Sequence, residues 1–295
     1  MFIETENAKR TLNFCNSIIK KNQWGMIYGD AGIGKTSIKN ELFKRLKEDK
    51  TQVVKLNSLY STPMSIGVII SSLLTELLPG EKIPRDINVR QAVLQNALAR
   101  KISENKRVTV VVEEAQNLHP NVIRDLKILH EMQAMGQENL FSILFFGKPS
   151  VRFDMLVAHR EIRDRISMRQ MTLPLDEEVV LIAEECFKLK FDSADIKAKF
   201  VDVTKKFPVT IKAVANTLWR LDGFDGVVTV ENLKAADVAS LKSELKELKI
   251  TNRELAKEFD VSVGKLNEVI NGNREDASLK DAILGYVRKV KEKAA

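Results

Sequence analysis

Through the first 170 residues, short apolar runs alternate with longer stretches in which apolar residues recur at helical spacing. The short runs, which predict β-strands, are Trp24–Tyr28, Gln52–Leu56, Val108–Val112 and Phe141–Phe146. The longer stretches, which predict helices, are Thr5–Lys21, Thr36–Lys47, Ile66–Leu78 and Val89–Ile102. Runs that are apolar throughout suit strands covered on both faces, and strands that alternate with helices form parallel sheets. The pattern predicts an α/β fold, a parallel sheet with helices on both faces.

After Pro174 the pattern becomes almost entirely helical. Helices are predicted at Asp176–Lys190, Ser193–Lys206, Thr210–Leu221 and Glu231–Ala239, with a strand or an extended connector at Val227–Val230. A helical segment with a different pattern begins near Ser240. We therefore expect three domains: an α/β domain over residues 1–173, a small helical domain over 174–240 and an all-α domain over 241–295.

The strongest chemical signal lies between the first predicted strand and the helix that follows it. Nine residues there are expected to line a nucleotide site: Gly29, Asp30, Ala31, Gly32, Ile33, Gly34, Lys35, Thr36 and Ser37. The first eight fit the pattern G-x-x-x-x-G-K-[ST], in which glycines let backbone N–H groups point at phosphate oxygens. Lys35 is expected to bind the β- and γ-phosphates of ATP, and the Thr36 hydroxyl to bind Mg²⁺. A chance glycine-rich turn is the alternative, and the flanking strand and helix argue against it.

Two acidic residues, Glu113 and Glu114, follow the valine-rich run Val108–Val112. Because β-branched residues suit a central strand, both acids are expected where that strand ends. Glu113 is predicted to lie near Mg²⁺, and Glu114 to be the general base that polarises the attacking water. A strand that ends in two solvated acids is the alternative. Lys148, at the end of the next predicted strand, is chosen over Ser142 inside it for a contact to the γ-phosphate or to that water.

The composition indicates what kind of partner the protein binds and where it is located. A formal net charge of +7 favours a polyanionic partner such as nucleic acid, with an ordinary solvated surface as the alternative. Hydrophobic residues make up 44% of the chain, yet no apolar run approaches the roughly 20 residues that span a membrane. The acidic N-terminal stretch lacks the features of a secretory signal. The chain is therefore expected in the cytoplasm, without a membrane partner.

Neither the cysteines nor the histidines have the spacing of a metal site. Cys15 and Cys186 are far apart in sequence and are expected to be buried free thiols. His119, His130 and His159 do not cluster. A metal site of the Cys/His type is therefore not expected.

The segment Thr251–Gly272 has the pattern of a helix-turn-helix and resembles the repressor-type motif. Thr251 and Glu254 form a capping box for the first helix, and Ser262 can cap the second. The second helix of this motif enters the major groove of DNA. The residues expected near bases or phosphates are Ser262, Val263, Lys265, Asn267, Asn273 and Arg274. A helical module that docks onto another protein is the alternative.

Five features follow one another along residues 5–240: the phosphate loop, Glu113-Glu114-Ala115-Gln116-Asn117-Leu118, Phe145-Phe146-Gly147-Lys148-Pro149, the arginine-rich stretch Arg160–Arg169 and the helices after it. In this order they resemble AAA+ ATPases of the transposition-helper group, which includes the B protein of phage Mu, TniB, TnsC and the ExeA-like ATPases. The resemblance implies that the helical domain is a lid. It also implies an arginine finger, Arg163 or Arg165, that completes the site of a neighbouring copy. Arginines on an exposed helix face are the alternative.

Two positions depart from the family pattern. Glu113 stands where Asp is usual, and the lid arginine expected just after Pro208 is absent. Lys212 is the candidate replacement, and loss of this contact is the alternative. The resemblance implies a homo-oligomer, a ring or a helical filament, on double-stranded DNA in the ATP state, and a transposase as partner. It therefore predicts a DNA-stimulated ATPase that assists transposition. The alternatives are a nucleotide-switched DNA-binding regulator with little turnover, and a replication initiator or helicase loader.

Overall fold

The computed structural model describes residues 2–49, 51–56, 65–150, 165–271, 273–274 and 276–294. The chain forms two compact units, Phe2–Leu173 and Pro174–Ala295. Four residues named above, His159, Arg160, Arg163 and Gly272, lie outside the described ranges. The division into three domains stays a prediction.

A five-stranded parallel sheet forms the centre of the first unit. The strands of this unit are β1 (Trp24–Tyr28), β2 (Thr51–Leu56), β3 (Arg107–Val112), β4 (Gln133–Ala134), β5 (Gln137–Glu138), β6 (Ser142–Gly147) and β7 (Ile166–Gln170). The sheet has the spatial order β2-β3-β6-β1-β7, while β4 and β5 form a separate antiparallel hairpin. Because all five strands of the sheet are parallel, their carboxyl ends share one edge.

Helices cover both faces of this sheet and divide its core into two layers. They are α1 (Glu6–Lys20), α2 (Lys35–Glu48), α3 (Ile66–Leu77), α4 (Ile87–Ser103) and α5 (Pro120–His130). Alternate side chains of β6 enter opposite layers. Ile143 and Phe145 pack with α3, α4 and α5, whereas Leu144 and Phe146 pack with α1 and α2. Burial on both faces explains why the central strands are apolar throughout, and the predicted fold class is confirmed.

The fifth strand of the sheet, β7, was not predicted from the sequence. It lies at the edge of the sheet beside β1, and of its residues only Ile166 is buried. Since the strand also carries Ser167, Arg169 and Gln170, it lacks the apolar run that marks its neighbours. Its residues were instead interpreted as part of the arginine-rich stretch. Helix α5 and the β4–β5 hairpin were not predicted either.

The second unit is mostly helical, as predicted. Its elements are α6 (Asp176–Phe187), β8 (Lys190–Phe191), α7 (Ala194–Thr204), α8 (Pro208–Leu218), β9 (Val227–Val228), α9 (Val230–Glu247), α10 (Asn252–Glu258), α11 (Val263–Ile270) and α12 (Ala277–Ala294). Helix α6 ends earlier than predicted because Lys188 adopts a left-handed conformation, with a φ of 57°. The short strand β9, at the segment left open as strand or connector, pairs in parallel with β8.

Two hydrophobic clusters stabilise the second unit. One joins α6, α7 and α8 to the first half of α9, and the other joins the end of α9 to α10, α11 and α12. The predicted caps are present: the Thr251 hydroxyl accepts from the Glu254 N–H, and the Ser262 hydroxyl accepts from the Lys265 N–H. In the part of the chain that the structure describes, every helix is too short or too polar to cross a bilayer.

The two cysteines differ in their surroundings. Cys15 is buried in α1, and burial raises the pKa of its thiol to about 12. Cys186 is only half-buried, which corrects the expectation of two buried thiols. It lies near the end of α6, where the helix surface meets solvent.

Candidate nucleotide site

The phosphate loop joins the carboxyl end of β1 to the start of α2. Gly32 and Gly34 have φ angles of 80° and 101°, in the left-handed region that glycine adopts without a steric clash. Gly34 precedes the first helical residue, and its carbonyl accepts from the Ile38 N–H at 3.0 Å. These glycines turn the chain so that the helix begins at Lys35.

The amino end of α2 has a free set of backbone donors. Among the described residues no side chain caps it, and its first turn contains no acidic residue. Helices α1 and α4, in contrast, are capped by Thr5 and Asp86. The N–H groups and the positive end of the helix dipole at α2 are therefore suited to bind an anion such as a phosphate group.

Lys35 lies half-buried beside the loop. Its Nζ donates to the carbonyl oxygens of Gly29, at 2.7 Å, and of Asp30, at 2.9 Å. Burial lowers the pKa of the Lys35 ammonium below its ordinary value. The carboxylates of Glu114 and Asp30 oppose this effect on the pKa, and Lys148 adds to it. Lys35 therefore interacts electrostatically with Glu114 and Lys148, which the sequence placed at the ends of two other strands.

Backbone pairing fixes where those strand ends lie. Gly147, the last residue of β6, pairs with Tyr28 of β1, and its carbonyl accepts from the Gly29 N–H at 3.3 Å. On the other side of β6, Phe145 pairs with Val112, the last residue of β3. The phosphate loop, Lys148 and the two acids therefore follow three adjacent strands at the same edge.

Glu113 forms an ion pair that the sequence did not suggest. Its carboxylate accepts from the Nζ of Lys39, a residue of α2 one turn after Lys35. The Lys39 side chain is largely buried, whereas that of Glu113 is 40% exposed. A Mg²⁺ ion at the predicted position would therefore share the Glu113 carboxylate with an ammonium group.

Glu114 adopts a left-handed backbone conformation, with φ 48° and ψ 47°. This conformation is uncommon for a residue with a side chain and costs roughly 1–2 kcal/mol. It turns the chain at the end of β3 into the short 3₁₀ turn Ala115–Asn117. The carboxylate of Glu114 accepts from Gln116 Nε2 at 2.6 Å, a contact that sequence reasoning missed.

The two polar candidates on β6 lie at opposite ends of the strand. Ser142 is the first residue of β6, and its buried hydroxyl lies 2.9 Å from that of Thr109. Lys148 follows the last residue, is exposed, and donates its backbone N–H to Gln116 Oε1 at 3.1 Å. Of these two, only Lys148 lies at the edge that carries the phosphate loop.

Of the two arginine-finger candidates, only Arg165 lies within the described residues. Arg163 lies outside the described residues, and Arg165 immediately precedes β7. The guanidinium of Arg165 forms an ion pair with Glu131, and both side chains are about half exposed. Since β7 runs parallel to β1, Arg165 lies at the edge of the sheet opposite to the phosphate loop of its own chain.

Candidate residues of the second unit are at the surface or in local contacts. Lys212 is exposed on α8, and Val263 is 40% exposed at the start of α11. Asn267 accepts from the Asn252 side-chain amide at 2.6 Å and so joins α11 to α10. Further polar contacts join Lys265 to Asp276 at 3.0 Å and Arg274 to Glu268 at 3.6 Å, while Asn273 donates its backbone N–H to Glu268.

Among the described residues, few side chains near the phosphate loop are available to bind a metal ion. Within the described ranges, no three His, Cys, Asp or Glu side chains converge on one point. The Thr36 hydroxyl, exposed in the first turn of α2, and the Glu113 carboxylate are oxygen donors of the kind that Mg²⁺ accepts. Mg²⁺ keeps several waters and binds phosphate oxygens, so two protein ligands are compatible with it.

Comparison with known proteins agrees with this geometry. Residues 19–155 match the family described as AAA domain. General secretion pathway protein A of Aeromonas hydrophila is 25% identical over 157 residues, which are 52% of this chain and 28% of that protein. This chain therefore spans only about a quarter of the length of the curated relative that it matches.

Solved structures of similar fold cover nearly the whole chain. The ORC2 protein of Aeropyrum pernix in ADPNP-ADP complexes has a TM-score of 0.61 at 13% identity, covering 99% of this chain and 87% of that one. The ORC1 protein of the same organism in complex with DNA has a TM-score of 0.57 at 11% identity, covering 98% and 84%. Cdc6p of Pyrobaculum aerophilum has a TM-score of 0.52 at 13% identity, covering 97% and 86%. Residues 19–155 therefore resemble an AAA domain, and the chain has a mixed α/β fold like that of these P-loop AAA+ structures.

The left-handed backbone at Glu114 should determine which substitutions at this position lower the free energy of unfolding least. Glu114→Gly and Glu114→Ala both remove the carboxylate, but only glycine relieves the left-handed conformation. We expect the glycine variant to be more stable than the alanine variant by about 1 kcal/mol, the reverse of the order at ordinary positions. Urea denaturation of both variants measures the difference. An alanine variant at least as stable as the glycine variant would contradict the conformation described.

Proposed function

We propose that this chain binds and hydrolyses ATP, assembles on duplex DNA in the ATP state and assists a separate transposase. The observation that supports ATP hydrolysis is that Lys35, Glu114 and Lys148 follow three adjacent strands, at the edge where α2 begins without a side-chain cap. Hydrolysis of a phosphoanhydride needs phosphate-binding donors, a residue that orients water and positive charge near the γ-phosphate. Each of these groups follows a different strand at the same edge of the sheet.

The roles divide among the chain's own residues as follows. The loop Gly29–Gly34 and the first turn of α2 bind the phosphate chain through backbone N–H groups, and Lys35 neutralises its charge. Glu114 orients the attacking water and accepts its proton, while Lys148 contacts the γ-phosphate. Thr36 and Glu113 would hold Mg²⁺, which neutralises charge on the β- and γ-phosphate oxygens when bound.

Assembly on DNA is supported by Arg165 and by the helix pair α10–α11. Arg165 and its own phosphate loop are separated by the length of β7, about 16 Å at 3.3 Å per residue. This distance supports assigning the arginine to the site of another copy. Helix α11 begins with Ser262 as its cap and exposes Val263. In a helix-turn-helix this is the end that enters the major groove. A net charge of +7 favours the same partner.

The role in transposition rests on the resemblance of the ordered motifs to the transposition-helper group. A second candidate, a replication initiator or helicase loader, is favoured by the ORC and Cdc6 structures, which match the chain from end to end. A third, a nucleotide switch with little turnover, is favoured by the Lys39–Glu113 ion pair, because Lys39 competes for the carboxylate predicted to serve Mg²⁺. Co-purification with a transposase or with a helicase separates the first two candidates.

ATP turnover is expected to rise when duplex DNA is added. Glu114→Gln should lower turnover by about 100-fold or more, because an amide cannot accept a proton from water. Nucleotide binding should persist, so assemblies on DNA should accumulate in this variant. Phosphate release measures turnover, and sedimentation with DNA measures assembly. Glu104→Gln is the control, since Glu104 pairs with Arg100 and Lys106 on the surface of the same unit. Full turnover in the Glu114→Gln variant would refute the role of Glu114, and absent turnover in the unchanged chain would favour the switch.

If α11 binds DNA, removing a positive charge from it should change how strongly the Kd for duplex DNA depends on salt. Lys265→Ala should weaken binding to duplex DNA and reduce the slope of log Kd against log salt by about one, as expected when one phosphate contact is lost. Lys199→Ala, an exposed lysine of α7 in the same unit, is the control. Fluorescence anisotropy of labelled duplex DNA at several salt concentrations measures both. If Lys265→Ala and the control give the same slope as the unchanged chain, α11 is a protein-docking helix.

A further inference from the structure

Gln116 lies in the middle of the 3₁₀ turn Ala115–Asn117 and connects two strand ends through its side-chain amide. Its Nε2 donates to the Glu114 carboxylate at 2.6 Å, and its Oε1 accepts from the backbone N–H of Lys148 at 3.1 Å. The orientation of the amide follows from chemistry, because an N–H requires an acceptor and a carboxylate requires a donor. Reversing the amide would break both hydrogen bonds.

The oxygen end of this amide is fixed by the sheet. Lys148 directly follows Gly147, whose carbonyl accepts the N–H of Gly29 at the start of the phosphate loop. Glu114 is therefore connected to the phosphate loop through hydrogen bonds of Gln116, through the covalent link between Lys148 and Gly147, and through the hydrogen bond from Gly29 to Gly147.

We propose that Gln116 is a positioning residue for ATP hydrolysis, which holds the Glu114 carboxylate in one orientation and couples it to the strand end that carries Lys148. This inference rests on the proposed ATP hydrolysis. Gln116 follows β3 and contacts Glu114 and Lys148, whereas the phosphate-binding groups belong to the loop and to α2. The contribution of Gln116 is therefore to the rate of the chemical step and not to nucleotide affinity.

Two substitutions separate the two hydrogen bonds. Gln116→Ala removes both of them. Gln116→Glu keeps an oxygen that can accept from the Lys148 N–H, and so preserves the anchor to β6, but it replaces the donor to Glu114 with a second negative charge. The matched control is Gln95→Ala, because Gln95 donates to the Gln133 carbonyl at 2.6 Å on an exposed surface of the same unit.

The experiment measures ATP turnover, with and without duplex DNA, for the full chain carrying each substitution. Nucleotide affinity is measured by calorimetry with a non-hydrolysable ATP analogue and Mg²⁺. Gln116→Ala and Gln116→Glu should each lower kcat by about 10- to 100-fold, by analogy with the loss seen when a residue that orients a metal ligand is substituted. The KM for ATP and the analogue affinity should stay at the values of the Gln95→Ala control. Thermal unfolding checks the fold, and Gln116→Glu keeps the test valid if Gln116→Ala is unstable.

A double-substitution cycle gives the readout that a purely structural role would not produce. If Gln116 acts through the Glu114 carboxylate, Gln116→Ala should have no further effect on the residual turnover of Glu114→Gln. An equal loss in both backgrounds would overturn the inference, as would kcat values for both Gln116 variants that match the control. A different result, in which the unchanged chain binds the analogue but releases no phosphate, would contradict the proposed hydrolysis and the inference together.

Discussion

Three neighbouring strands, β1, β6 and β3, end at one edge of the sheet, and each is followed there by charged residues. The phosphate loop with Lys35 follows β1, Lys148 follows β6, and Glu113 and Glu114 follow β3. The register of these strands decides whether the charges meet. Because a slip of one residue would move every side chain of a strand to the other face, the two apolar layers fix the register. The hydrophobic core of the first unit therefore sets the geometry of the site.

At this edge the positive charges of α2 lie opposite the negative charges that follow β3. Lys39 pairs with Glu113, and Lys35 lies close enough to Glu114 for their charges to interact. The loop carbonyls that hold Lys35 are weaker acceptors than charged phosphate oxygens. A bound nucleotide would therefore draw Lys35 away from these carbonyls. The left-handed backbone at Glu114 is the local strain that this arrangement requires.

The features that could be predicted from the sequence are those encoded locally. Apolar runs marked the central strands, loop spacing marked the start of α2, and Thr251 and Ser262 marked the starts of α10 and α11. The edge strand β7 gave no such signal because one side of it is open to solvent. The Lys39–Glu113 ion pair joins residues 74 positions apart and appears only when α2 packs beside β3. The contact from Gln116 to Lys148 likewise depends on two strands meeting in space.

All activities proposed for this chain require that Lys35 and the loop before it bind the terminal phosphates of a nucleotide. Calorimetry of the full chain with Mg²⁺ and a non-hydrolysable ATP analogue tests it most directly, using Lys35→Ala beside Lys44→Ala, an exposed lysine of the same helix. We expect Lys35→Ala to weaken binding by about 10- to 100-fold, the loss expected for a charged hydrogen bond to phosphate, whereas Lys44→Ala should bind as the unchanged chain does. Equal affinity of all three proteins, or no affinity in the folded unchanged chain, would show that Lys35 and this loop do not bind the phosphates.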